Sequence, residues 1–362
     1  MIFKKLAKIS LIALCSLLLF FTALSLAAYF SESGKILLPV KRKESFSHEG
    51  MEEFPPLLLV ENNKIVDPSG RAVVLKGLMP PDPAVLHSRN RFHRRLLQEI
   101  KDTGANVVRI PVHPENYFHD RDYLWRYLDP LVSWAGELGM YVIIDWHYIG
   151  SIETGRGDEM PDLDIAPKDF SLQFWKQTAA YFRDTPHVIF EIFNEPAFIT
   201  AATWARNAEE LVKVIRGQNA NQVIIVGGIE YARNLSWVKE RPVDDANIVY
   251  AAHIYPAHDQ KLWGEYFGAI SEEYPVLITE WGFLDENEAV EPSYLVGDEE
   301  SYGKPFLDYL EERNIGWVAC WYDDVWTPPM LKDKGKSYTK YGRFVLSNLG
   351  VLDQKEGNST SM

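Results

Sequence analysis

Eight short runs rich in Val, Ile and Leu recur along the chain, separated by amphipathic stretches, and few folds accept that rhythm. They fall at 73–77, 106–112, 141–147, 188–195, 222–227, 248–255, 275–280 and 316–322. Each is apolar on both faces, as in strands of a parallel sheet packed under helices. Helical stretches at 91–103, 122–138, 169–183, 202–217 and 302–313 lie between them, and 341–348 follows the last. Eight such strands over about 280 residues predict an α/β fold, a single closed (β/α)8 TIM barrel. No glycine-rich phosphate loop follows the first run, which removes the main reason to prefer an open doubly wound sheet. A β-hairpin is predicted ahead of the barrel, from Leu57-Leu-Leu-Val60 through turn-rich 61–64 and 67–70 into 72–77.

The chain starts differently. Lys4, Lys5 and Lys8 precede an uncharged apolar run of 22 residues, Ile9 to Phe30. Residues 1–30 therefore read as a signal peptide or signal anchor. The run is longer than an ordinary signal core and would span a bilayer, which favours the anchor. Ser25-Leu-Ala27 offers a small-residue cleavage site, so secretion after cleavage is the alternative. Lys35, Lys41, Arg42 and Lys43 flank the far side and blur the orientation; the main domain is expected outside the cell membrane. Residues 31–53 read as a stem linker, 54–352 as one domain and 353–362 as a disordered tail.

Net charge is −14, and because residues 1–30 carry three lysines and no acid, the remainder carries −17. That surface argues against nucleic acid or anionic lipid as a partner, leaving the N-terminal segment as the only membrane contact. It suits a neutral or cationic ligand. Aromatic residues make up 13%, with 11 Trp, and sugar rings stack on such faces. Cys15 and Cys320 form no disulfide framework or zinc spacing; Cys320 reads as a small core residue. No metal or cofactor is expected. The acidic segment 150–168 lacks the ligand spacing of a calcium loop, and no His-x-His pair accompanies the strand-end histidines.

Two glutamates 85 residues apart close apolar runs: Glu195 in Val188-Ile-Phe-Glu-Ile-Phe-Asn-Glu-Pro196 and Glu280 in Pro275-Val-Leu-Ile-Thr-Glu-Trp-Gly282. Charge at the exit of a buried strand is costly unless it faces a cavity where it does chemistry. A barrel gathers its strand ends at one rim, and there stand Arg109, His147, Asn194, Glu195, His253, Tyr255, Glu280 and Trp321. Paired carboxylates at one mouth suit glycosidic bond cleavage, one protonating the leaving oxygen and one attacking the anomeric carbon. If Glu195 points inward, strand alternation gives Phe193 and Glu191 the same face. Asp145 shares the face of His147; it and Glu191 read as structural carboxylates hydrogen-bonded inside the barrel. Trp146 and Trp281 are expected to pack outward. His113 is a rim or plain loop residue, and Trp326 a sugar platform or loop packing.

In its motifs the chain resembles glycoside hydrolase family 5, which contains many cellulases and related β-glycanases. Phe190-Glu-Ile-Phe-Asn-Glu-Pro196 and Ile278-Thr-Glu-Trp-Gly282 carry the resemblance. Val108-Arg-Ile-Pro111, Ile144-Asp-Trp-His147, His253-Ile-Tyr255 and Trp321 support it, in the family's order over roughly 57–350. The resemblance implies Glu195 as acid/base and Glu280 as nucleophile of a retaining hydrolase, most simply an endo-β-1,4-glucanase. It implies that Asn194 holds the sugar beside the cleaved bond, and that His253 and Tyr255 orient the carboxylates. Arg109 would support Glu280, Trp321 would floor the cleaved subsite and His147 would line the glycone side. The partner is then a β-linked polysaccharide or oligosaccharide, and the protein is expected to act as a monomer. A β-mannanase or other β-glycanase, a transglycosylase, and a non-catalytic carbohydrate-binding protein are the alternatives.

Overall fold

The computed structural model describes residues 39–47, 49–157, 165–288 and 290–350. The signal or anchor segment, Cys15, the start of the stem, the tail from 353 and part of the acidic 150–168 loop lie outside them. No helix among the described residues is long and apolar enough to cross a membrane.

Eight parallel strands close into a barrel in chain order. They are β1 (Lys76–Met79), β2 (Val107–Val112), β3 (Tyr141–Trp146), β4 (Val188–Glu191), β5 (Ile224–Gly227), β6 (Ile248–Ile254), β7 (Val276–Trp281) and β8 (Gly316–Cys320). β8 shuts the ring on β1, with Val318 opposite Gly77 and Cys320 opposite Met79. Alternate residues segregate into two cores. Val107, Ile143, Ile189, Ile225, Val249, Leu277 and Val318 fill the barrel, while Val108, Ile144, Phe190, Ile224, Tyr250 and Ile278 face the helices. This is why the runs look apolar on both faces. Gly77 is required where β1 meets β2, since a Cβ there would lie 1.9 Å from the Val107 carbonyl oxygen.

The covering helices follow the expected periodicity. In Ala201–Arg216 the buried Trp204, Ala208, Leu211 and Ile215 recur every three or four positions, and the Thr200 side chain caps the start. Between β5 and β6 only the short 3-10 turn Ser236–Lys239 intervenes, and between β6 and β7 the 3-10 turn Gln260–Leu262 and the short helical segments Gly264–Gly268 and Ala269–Ser271. The hairpin pairs Leu59–Glu61 with Lys64–Val66. It seals the end opposite the strand exits, where Leu58 and Ile65 join the barrel core. It also delays β1 to Lys76, because Val73 donates its N–H to Ile65 instead, at 2.8 Å.

One strand departs from expectation in a way that matters. The run 188–195 leaves the barrel after Glu191, so inward parity does not extend to Glu195. Phe193 does not share an inward face with it: its ring stacks on Tyr148 at 5.1 Å and tilts against Trp204 at 5.5 Å, in the outer core. Glu195 is carried instead by a two-residue ribbon, Glu195–Pro196 paired parallel with Ile149–Gly150 from the loop after β3.

Candidate active site

The upper layer of the barrel interior is polar, and Arg109 is its hub. It lies in mid-strand on β2, not at the strand end, and is wholly buried. A buried guanidinium needs its donors matched. Its Nε donates to Glu191 at 2.6 Å, Nη1 to Glu280 at 3.1 Å and Nη2 to Asn194 Oδ1 at 2.8 Å. Asp145 Oδ2 lies 3.1 Å from Nη2. Three carboxylates around one cation hold its pKa above the ordinary value. Burial pushes Asp145 up to about 7 and Glu191 upward, with Arg109 opposing in each case. Asp145 and Glu191 are therefore internal partners, as their inward parity suggested. Asp145 also meets His147 Nδ1 at 2.6 Å. Burial and then Arg109 push His147 down to about 3, so it stays neutral.

Glu280 is a strand residue of β7. Its Oε1 accepts from the Tyr255 hydroxyl and its Oε2 from Arg109. Two donors on one carboxylate stabilise its charge. Register along β6 and β7 slips here: Ala252 faces Ile278, and His253 faces Glu280. The extra residue, Thr279, is thus free to turn its hydroxyl to His253 Nε2 at 3.0 Å. Cys320, buried as expected, lies under the Tyr255 hydroxyl at 3.5 Å.

Glu195 meets the other His253 nitrogen, Nδ1, at 2.9 Å. Its backbone N–H is fixed to Tyr148 O at 3.0 Å, and that of Asn194 to Trp146 O at 3.0 Å. Burial pushes Glu195 up to about 8, with Arg109 pulling it down and Asp145 adding to the rise. Burial pushes His253 down to about 4. A neutral imidazole between a protonated carboxyl and a hydroxyl can satisfy each with one N–H and one lone pair. One oxygen of Glu195 and one of Glu280 lie within 4.8 Å of each other and of His253. Among the described residues this trio is the arrangement closest to a metal site. Its atoms already serve Tyr255, Arg109 and Thr279, which makes it an acid/base array.

An aromatic wall borders the other side of Glu280. Trp321 stands edge-on to His147 at 5.7 Å, and His147 lies 4.6 Å from His113. Trp326 joins both ends, 4.6 Å from Trp321 and 5.2 Å from His113. His113 is therefore a rim residue, positioned through its backbone N–H by Asp82 at 2.9 Å. Trp326 is held by its N–H on Asp323 Oδ2 at 3.0 Å, a carboxylate that also takes Arg89 and Arg91. Trp146 and Trp281 pack outward, fully buried. All eight residues singled out in the sequence thus gather at one mouth. Sequence reasoning missed Thr279 and the Asp323 clamp; a β-bulge and a loop-to-loop salt bridge leave no periodic signal.

Comparison with known proteins gives a consistent picture. The profile for cellulase, glycosyl hydrolase family 5, matches residues 67–324. Endoglucanase A of Butyrivibrio fibrisolvens is 30% identical over 247 residues, covering 63% of this chain and 52% of that protein. Endoglucanase E-5 of Thermobifida fusca is 30% identical over 233 residues, covering 62% and 46%. The chain thus spans about half the length of these relatives. A β-glucanase of Saccharophagus degradans, solved in complex with cellotetraose, superposes with a TM-score of 0.79 at 26% identity, over 86% of this chain and 97% of that one.

Proposed function

The chain belongs to the cellulase family, glycosyl hydrolase family 5, and on that premise we propose that it is a retaining β-glycanase, an endo-β-1,4-glucanase acting on a neutral polysaccharide. The observation that carries this reading is the gap between the two carboxylates. An oxygen of one lies within 4.8 Å of an oxygen of the other, which fits the close pair of a retaining enzyme and falls short of the roughly 6.5–9.5 Å separation of an inverting one. Glu280, oriented by the Tyr255 hydroxyl and Arg109, attacks the anomeric carbon. Glu195, kept protonated by burial, gives its proton to the departing glycosidic oxygen. The C–O bond to the leaving sugar breaks as the glycosyl ester to Glu280 forms. Having given up its proton, Glu195 is left as a carboxylate and acts as base. It then takes a proton from water, which displaces Glu280 from the same face that the leaving sugar occupied.

Supporting residues follow from their contacts. Asn194 spends Oδ1 on Arg109, leaving its amide N–H groups for a sugar hydroxyl beside the cleaved bond. Trp321 and His147 form the floor and side of the glycone subsite. Curated relatives named endoglucanases and the cellotetraose-bound β-glucanase support the choice of β-glucan. For location, the apolar run behind three lysines supports a tethered or secreted enzyme working outside the cell.

The test is a panel of soluble polysaccharides (carboxymethylcellulose, mixed-linkage β-glucan, glucomannan, galactomannan), with product lengths and the first-formed anomer recorded. Cellulosic and mixed-linkage chains are expected to give mixed-length oligosaccharides with the β-anomer appearing first. Cleavage confined to mannans would make it a β-mannanase, and binding without turnover a non-catalytic protein. An α-anomer first would exclude the covalent route.

A further inference from the structure

The wall of Trp321, Trp326, His113 and His147 rises from the loops after β2, β3 and β8; the loops after β6 and β7 carry an aromatic of their own. Tyr294 is 49% exposed. Of the large hydrophobic residues left exposed among the described ones, it is in ring contact with a residue that bonds a carboxylate of the pair. Its ring stands edge-on to Tyr255 at 5.6 Å, an interplanar angle of 81°.

The segment that presents it is anchored, not loose. Tyr294 sits in the short 3-10 turn Ser293–Leu295 of the loop after β7. Its carbonyl accepts from Ala257 N–H, in the loop after β6, at 3.1 Å. Next to it, Leu295 is buried in the barrel core cluster and pairs by backbone with Leu284 at 2.7 Å. One side chain is thus driven in and its neighbour turned out, over β6, the strand whose His253 touches Glu195. The Tyr294 hydroxyl is pushed up to about 12 by burial and by the charges of Glu280 and Glu195, so it remains a neutral donor.

We propose that Tyr294 walls the first leaving-group subsite, stacking against and donating to a neutral β-linked hexopyranose. This rests on the hydrolase reading above and deepens it. A sugar held there is gripped while Glu195 protonates its oxygen, and the same ring receives an acceptor sugar once the glycosyl enzyme has formed. Tyr294 therefore governs long substrates and the share of transfer over hydrolysis, and contributes nothing when the leaving group is small.

Two substrates separate these effects. Cellopentaose fills the leaving-group side, whereas β-cellobiosyl fluoride departs as fluoride and has no sugar there. Tyr294→Ala is expected to lower kcat/KM on cellopentaose about tenfold, the loss of one good stacking contact. On the fluoride it should stay within about twofold of the parent, which also certifies the fold. Tyr294→Phe should keep most of the cellopentaose activity, and added cellobiose should give less transfer product in the alanine variant than in the parent. Parallel losses on both substrates, or none on cellopentaose, would overturn the assignment while leaving the hydrolase standing. A parent inactive on both would remove the hydrolase reading and this one with it.

Discussion

Glu195 and Glu280 look alike in sequence, each an acid closing an apolar run, yet the fold holds them by different means. Glu280 belongs to β7, a six-residue strand paired on both sides, and two donors grip its carboxylate. Glu195 lies past the end of β4 on a two-residue ribbon, and its side chain meets a neutral histidine. One carboxylate is built into the frame with its charge stabilised; the other hangs from the frame with its proton retained by burial. The contrast shows how one chemical group acquires two roles: through the number of donors it receives and the rigidity of what carries it.

The largest effect should come from the framed residue. Glu280→Gln is expected to lower kcat on β-glucan by at least about four orders of magnitude, and azide with a Glu280→Gly variant should yield the inverted glycosyl azide. Retained configuration in that product would reverse the two roles. Next, Glu195→Gln should cost about 10²–10⁴ on polysaccharide but far less on β-cellobiosyl fluoride, whose leaving group needs no proton. Equal losses on the two substrates would break the division.

The pH dependence sharpens the same comparison. Glu195 acts protonated, so the parent should lose activity on polysaccharide as pH rises through about 8, and this alkaline limb should be missing when the same enzyme acts on the fluoride. Stability follows with the same sign. A carboxyl raised from 4.5 to about 8 on folding stabilises the fold fully below 4.5, and that contribution disappears as pH climbs to 8. Glu195→Gln should therefore melt above the parent at pH 8, with a smaller gap at pH 5.

Arg109→Met comes third for activity, about 10²-fold, because it strips a donor from Glu280 and from no atom of Glu195. It should also cost about 3–5 kcal/mol in urea denaturation at neutral pH, and less at pH 5, where the stranded carboxylates take up protons. An unchanged midpoint would mean that Asp145, Glu191 and Glu280 do not depend on the guanidinium. The smallest change is Thr279→Val, which loses one hydrogen bond to His253, worth about 1 kcal/mol. Activity should fall only several-fold, with the alkaline limb displaced. A loss as large as that of Arg109→Met would show that the imidazole, not burial, governs Glu195.

Much of this was legible in the chain. Period and count predicted the barrel because every strand buries two faces, and that requirement writes Val and Ile into consecutive positions. The pairing of Arg109 with Glu280, and of Asp145 with His147, followed from strand parity and motif. Parity failed at Glu195. Ile192 and Phe193 continue the apolar run, yet their burial comes from the helix layer, where Trp175 donates to Ile192 O at 2.9 Å. Hydrophobicity reports burial and not which surface does the burying, so the end of β4 was hidden. His113 and Trp326 stayed ambiguous for a related reason: their neighbours come from loops of β1, β3 and β8, far apart in sequence. Thr279 looked like another strand residue, since nothing local marks a bulge that exists only relative to β6.

The ribbon has an evolutionary corollary. Because the acid is paired with Ile149–Gly150 and not with the barrel, substitutions confined to the loop after β3 reach its position and its surroundings without disturbing a barrel strand. Descendants of such a scaffold can explore new working conditions or new leaving groups through one surface segment, while the costly inheritance, an eight-stranded closure and its buried charges, passes on untouched.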